Sequence, residues 1–173
     1  MRVSVIGGSS IDEATYGTAR EVGRLLGERG HTVVCGGLGG TMEAVCRGAR
    51  EASSEASGLE SGERGGSPAS GEHDAETIGI LPTARRADAN EWVTTPIATG
   101  MGNARNVAVV LNGDAAIAID GAAGTLSELG HALDFGRPVA GLDTHAVDLD
   151  GFETVETPEA AVDYVESAAD SHR

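Results

Sequence analysis

The sequence predicts a three-layer α/β fold built on a doubly wound, mainly parallel sheet, and three observations carry that prediction. Short β-rich runs alternate with helical patterns along the whole chain. Four of those runs give way to a glycine-rich turn and then a helix, at residues 7–10, 36–40, 100–103 and 121–125. One run, Ala115–Ile119, is apolar at every position, as a central parallel strand buried on both faces requires.

The elements follow in order. Residues 2–6 (RVSVI) read as the first strand. A helix is expected over residues 15–29, with Ala19, Val22, Leu25 and Leu26 on one face and Gly30 as its stop. Residues 31–35 (HTVVC) form the second strand, which completes a right-handed βαβ unit, and 41–52 the second helix. From about 52 to 75 the pattern stops, and Gly, Ser, Glu and Ala leave almost nothing to bury. This span reads as a low-complexity, disordered insertion with no direct chemical role, inside a single domain spanning 1–173. Thr77–Leu81 is the third strand; residues 92–98 give another, which Pro96 assigns to an edge or irregular position. A helix over 104–111, the apolar strand at 115–119 and a helix over 126–135 come next. A short strand at 138–142 and an amphipathic helix at 158–169, with Ala161, Val162 and Val165 inward, end the chain.

Composition narrows the function. The formal net charge is −15, and all 12 basic residues are arginine. An acidic surface for a basic partner would explain this, but the acidic residues are spread through the chain and not gathered in a tail, which favours adaptation to high salt, where the Debye length falls to roughly 3 Å at 1 M. The same charge argues against a nucleic-acid partner, because affinity there comes from neutralising phosphates with Lys and Arg. No apolar run is long enough for a bilayer, and Met1 leads straight into a strand, so a cytoplasmic protein without membrane contact is expected. Cys35 and Cys46 read as small buried hydrophobes, their spacing matching neither a redox CxxC nor a zinc site. The five histidines are scattered, and neither a metal nor a cofactor of its own is expected.

In a parallel sheet the four glycine turns lie at one edge, outside the carboxyl ends of the strands. Glycine lets the backbone approach a ligand, and the helix behind it offers free N–H groups and a positive dipole end to phosphate. The partner this implies is a phosphate-bearing small molecule, a nucleotide or something like one. Gly8, Ser9, Gly37, Gly39, Gly40, Gly102 and Asn103 are the binding candidates from the first three turns. No turn reads GxxxxGK[ST], the absence of lysine excludes a P-loop, and GxGxxG with a ribose-binding acid is missing.

Three motifs then occur together: GGLGGTME at 36–43, GMGNARN at 100–106 and GAAGTLSE at 121–128. Their combination resembles the LOG superfamily, Rossmann-like proteins also described as lysine decarboxylase-like or cytokinin phosphoribohydrolase-like. The resemblance is closest to its branch of molybdenum-cofactor carrier and DprA-related proteins. In LOG phosphoribohydrolases the last motif reads PGGxGTxxE, and an arginine in the preceding helix works with its glutamate. Carried over, the resemblance implies Arg105 and Glu128 as the catalytic pair, with Gly121, Gly124 and Thr125 on the phosphate. It implies hydrolysis of the N-glycosidic bond of a nucleoside monophosphate or, alternatively, a non-catalytic carrier or sensor of a nucleotide-like cofactor such as molybdenum cofactor. It also implies a homodimer with the helices flanking Arg105 near the interface. Asp120 stands where the family has proline, Ala122 where it has its second glycine, and Asn106 where a basic residue usually follows the arginine. These departures favour the carrier; retention of Arg105 and Glu128 favours the enzyme. Lysine decarboxylation is the least favoured activity, since the chain has no lysine to form a Schiff base.

Several residues have plainer readings. Glu128 follows Thr125 by three, the spacing of a capping box with Thr at N-cap and Glu at N3. As a catalytic group it would instead orient or activate water at C1′. Arg105 could face solvent, or grip phosphate or ribose in bidentate fashion. Asn103 can cap its helix or touch ligand; Glu43 and Arg47 have helical ion-pair spacing; Trp92 reads as core packing.

Overall fold

Side chains alternate across a strand, and that period of two sorts the apolar residues into two cores on either side of one sheet. The computed structural model describes residues 1–56 and 75–170. Its strands are β1 (Arg2–Gly7), β2 (Thr32–Cys35), β3 (Thr77–Leu81), β4 (Thr95–Ala98), β5 (Ala115–Ile119), β6 (Val139–Leu142) and β7 (Phe152–Val155). They pair in the order β4-β3-β2-β1-β5-β6-β7, every pair parallel. The helices are α1 (Glu13–Glu28), α2 (Thr41–Ala56), α3 (Asn106–Leu111), α4 (Ala123–Asp134) and α5 (Pro158–Asp170).

The chain starts near the middle, winds out to β4, then crosses to β5 and winds out the other way. Because crossovers are right-handed, that reversal puts α1 and α2 on one face and α3 and α4 on the other. Val3, Val5, Val33 and Ile117 pack under α1, α2 and α5 through Val22, Leu26, Val45 and Val162. Ile6, Val34, Ile78 and Ala118 pack under α3 and α4 through Val109, Val110 and Leu129. The three-layer, doubly wound architecture expected from the sequence is what the chain adopts, and its sheet is wholly parallel.

Boundaries differ where local chemistry overrides apolar spacing. α1 starts at Glu13 because Asp12 caps it, its Oδ1 accepting the Thr15 N–H at 2.8 Å. It stops as expected at Gly30, which takes φ 72° while the His31 N–H returns to the Leu26 carbonyl at 2.9 Å. α2 continues to Ala56, beyond the expected 52, since Ala52 and Ser53 are buried and Ser53 Oγ accepts the Ala75 N–H at 2.6 Å. The remainder of the span read as an insertion, 57–74, lies outside the described residues. The strand expected at 92–98 shortens to β4, at a sheet edge as Pro96 indicated. The helix expected from 104 begins as a 3-10 turn, Gly102–Arg105, before α3. β7 was not anticipated. It adds to β6 across residues 143–151, which contain no helix to announce a crossover.

Candidate functional site

A doubly wound sheet opens a crevice where the winding reverses, because the loops leaving the two central strands depart on opposite faces. Here that point lies between β1 and β5, and a cavity of about 270 Å³ occupies it. Gly7, Gly8 and Ser9 line it after β1; Gly36, Leu38 and Met42 after β2; Asn103, Arg105 and Asn106 from the 3-10 turn and α3. The opposite wall is the start of α4, with Ala122, Gly124, Thr125 and Glu128.

Backbone conformation fixes these walls. Asp120 and Gly121 take φ 51° and 107°, turning the chain sharply off β5, while Thr144 Oγ1 donates to the Asp120 carbonyl at 2.6 Å. A Cβ at Gly121 would collide with the Thr125 side chain, so this glycine answers both to φ and to space. α4 therefore begins at Ala123 rather than 126. Ala122 occupies the cap position and supplies no side-chain acceptor, leaving the first-turn N–H groups without a side-chain cap. The capping-box reading of Thr125 and Glu128 is overturned: Thr125 sits inside the first turn and Glu128 a turn further on. The loops after β1 and β2 are tied together where the Thr41 N–H donates to the Gly8 carbonyl at 3.0 Å, and Asn90 Nδ2 donates to the Leu38 carbonyl at 2.8 Å.

Two ionisable side chains face each other inside. Arg105 is 7% exposed. Its Nη1 donates to Asn106 Oδ1, Nη2 reaches the Gly36 carbonyl at 3.4 Å, and Nη1 stands 3.7 Å from Glu128 Oε1. Its Nε is buried with no hydrogen-bond partner among the described residues. The solvent-facing alternative for Arg105 is thereby removed. Burial pulls the guanidinium down from its ordinary value, and Glu128 opposes that pull. Glu128 is also 7% exposed, and burial pushes its carboxyl up to about 7 against the opposing pull of Arg105. A carboxyl at that value populates both protonation states near neutrality, as general acid–base chemistry requires.

The cavity thus brings together Gly8, Ser9, Asn103, Arg105, Gly124, Thr125 and Glu128. Gly37, Gly39, Gly40, Gly102 and Gly121 are not among its lining residues. Gly37 and Gly40 instead take φ 74° and 66° to shape the loop after β2. Among the lining residues that the sequence reading missed are Gly7, Gly36, Leu38, Met42, Asn106 and Ala122. Leu38 and Met42 lie within a motif already singled out, but Asn106 had been noted only as a lost cation. It is the hydrogen-bond partner of Arg105. Nor do Glu43 and Arg47 pair: Arg47 Nε bonds Glu51 Oε1 at 2.9 Å and its guanidinium lies 5.6 Å over the Trp92 ring. Glu43 accepts the Tyr16 hydroxyl at 3.4 Å. Trp92 is half-buried against the α1–α2 core. Among the described residues no helix is long and apolar enough to cross a membrane.

Comparison with known proteins places this geometry. An uncharacterized protein of Archaeoglobus fulgidus is 39% identical over 170 residues, which cover 98% of this chain and 97% of that one. The molybdenum cofactor binding protein of Rippkaea orientalis superposes with a TM-score of 0.77 at 27% identity, covering 96% of this chain and 95% of that one. The molybdenum cofactor carrier protein of Chlamydomonas reinhardtii superposes at 0.79 with 24% identity, covering 96% of each chain. The profile of the SLOG cluster4 family matches residues 1–69 and 58–171, and with nearly the whole length accounted for, the chain belongs to the SLOG cluster4 family.

Proposed function

We propose that the switch-point cavity binds one phosphate-bearing, nucleotide-like small molecule, its anionic group lying between the first turn of α4 and Arg105. The observation that carries this is Arg105 itself. A buried guanidinium with an idle Nε costs free energy until something completes its hydrogen bonds. A phosphate does so in bidentate fashion, and the uncapped N–H groups of α4 supply the rest. The cavity, about 270 Å³, sits near the lower end of small-ligand sites, roughly 300–1,000 Å³, and suits one small molecule rather than a polymer. The two solved proteins described as binding or carrying molybdenum cofactor support a nucleotide-like anion as the ligand class. Titration calorimetry with adenosine, guanosine and cytidine 5′-monophosphates tests it. Binding is expected, weakened at least about 10-fold in Arg105→Lys, which keeps the charge and loses the fork. No binding of any of them by the wild type overturns the reading.

A second reading, hydrolysis, is favoured by Glu128. With its carboxyl raised to about 7, it can take a proton from water attacking C1′ while the base departs with its glycosidic electron pair. Release of free base from a monophosphate, reduced at least about 100-fold in Glu128→Gln, is the expected signature. Binding without release leaves the carrier reading. For assembly we propose a homodimer through the α3–α4 layer, where Met101, Leu111, Leu126 and Phe135 are exposed. A monomer mass by light scattering would remove it.

A further inference from the structure

Beneath the loop after β2 lie two thiols that the proposed function does not use. Cys35 closes β2 and Cys46 sits in α2; both are fully buried and free, with their Sγ atoms 3.5 Å apart. Cys35 Sγ also accepts the Gly37 N–H at 3.3 Å, so the pair touches the backbone of the loop that walls the cavity. We propose that Cys35 and Cys46 are a modification site: a dithiol that hydrogen peroxide closes to an intramolecular disulfide, displacing the 36–40 loop as it does so.

The chemistry balances. The Cys35 thiolate attacks one oxygen of the peroxide, the O–O bond breaks, and the departing hydroxide takes up a proton to leave as water. The Cys46 sulfur, losing its proton, attacks the resulting sulfenic acid, forms the S–S bond and releases a second water. Two thiols are oxidised by two electrons and one peroxide is reduced. Cys35 is the first nucleophile because of its hydrogen bonds. The bond from Cys46 and that from the Gly37 N–H hold its thiol below the ordinary value against burial, whereas bonding to Cys35 and burial hold Cys46 well above it. Since both sulfurs are covered, peroxide reaches them through opening of the loop, and the reaction is slow beside that of an exposed thiol.

Closure must move the sulfurs from 3.5 Å to about 2.05 Å. β2 is held between β1 and β3, so the displacement falls on α2 and the loop. Gly36 presents its carbonyl to Arg105 Nη2, and Met42 lines the cavity, so a shift there reaches the site. It also reaches Trp92, the single tryptophan. Arg47, adjacent to Cys46, lies over its ring. Asn90, which bonds the Gly37 and Leu38 carbonyls, accepts the Trp92 N–H at 3.0 Å.

The test uses the full chain with a slight molar excess of hydrogen peroxide under native conditions, quenched by alkylation after unfolding. The expected result is a mass lower by roughly 2 Da, both thiols lost together, and a change in Trp92 emission, all reversed by dithiothreitol. Cys35→Ser and Cys46→Ser should each lack the mass drop and the emission change; the wild-type mass and thiol count decide the matter should either variant fold poorly. Thiols that stay alkylatable, or that gain oxygen independently with no species 2 Da lighter, overturn the proposal. A disulfide that leaves Trp92 emission unchanged overturns the loop displacement.

Discussion

On the α1–α2 side of the sheet, a Cβ added to Gly23 or Gly48 would collide with the carbonyl oxygens of Val45 and Arg20, and one on Gly27 would stand 2.6 Å from that of Ala49. On the α3–α4 side, a Cβ on Gly124 or Gly130 would meet nothing within 4 Å. The same residue type serves two ends. Between α1 and α2 it lets two helix backbones touch, which seals that layer. In α4 it leaves room, at the cavity for Gly124 and at the exposed face for Gly130. One layer brings its helix backbones into contact, and the other carries the Arg105–Glu128 side of the cavity together with exposed apolar side chains such as Leu111 and Leu126. A glycine is informative through what it faces, and a count of 26 glycines in a sequence does not say which faces which.

The largest expected effect breaks the sealed layer. Gly23→Ala and Gly48→Ala each drive a methyl into a backbone carbonyl that cannot move aside as a flexible side chain can. Each should cost about 3 kcal/mol in urea unfolding, with nucleotide affinity of the folded fraction unchanged. A cost below about 1 kcal/mol would mean the helices separate easily, and the contrast between the layers would go.

The next effect lies in the open layer and depends on pH. The Glu128 carboxyl is raised from 4.5 to about 7 in the folded chain, so the folded state binds that proton more tightly than the unfolded state. Its contribution is intact below about 4.5 and is lost as pH rises through about 7. Gln imitates the protonated acid and does not titrate. Glu128→Gln should therefore gain stability relative to wild type by about 3 kcal/mol between pH 4.5 and pH 8. Parallel urea melts across that range measure the difference, in which the other carboxylates cancel. A flat difference would show that Glu128 is solvated in the folded protein.

The contrast between the layers also explains what could be seen in the sequence. β3 and β5 were legible to the residue because β5 is a continuous apolar run, β3 is one after Thr77, and they are closed by Pro82 and by the Asp120–Gly121 turn. Arg105 and Glu128 were legible only through a motif, and no periodicity would have brought residues 23 apart in sequence to 3.7 Å. The capping box misled because its spacing is genuine, while the turn at Asp120 starts α4 a turn earlier. β7 was hidden for two reasons: Glu153 and Thr154 face solvent on an edge strand, and Phe152 finds its place against Gly141 of β6. The Cys35–Cys46 contact was invisible for the same reason as the arginine–glutamate pair. Tertiary proximity across a strand and a helix leaves no spacing rule behind.

The smallest effect sharpens the comparison most, because it asks two open glycines of one helix to behave differently. Gly130 lies inside α4 with space around it, so Gly130→Ala should stabilise the monomer unit by about 0.5–1 kcal/mol through helix propensity alone. Gly124 has the same freedom and should gain a similar amount in Gly124→Ala, but it lines the cavity in the turn proposed to hold the anion. A methyl there occupies the approach to the first-turn N–H groups, and nucleotide affinity should fall at least about 10-fold while the melt improves. Gly130→Ala should leave affinity alone. Stability and binding moving in opposite directions at 124, and only stability moving at 130, would show that the space at Gly124 is kept for a ligand. Equal behaviour at the two positions would reduce Gly124 to an ordinary helix glycine and leave Arg105 to hold the anion without the α4 turn.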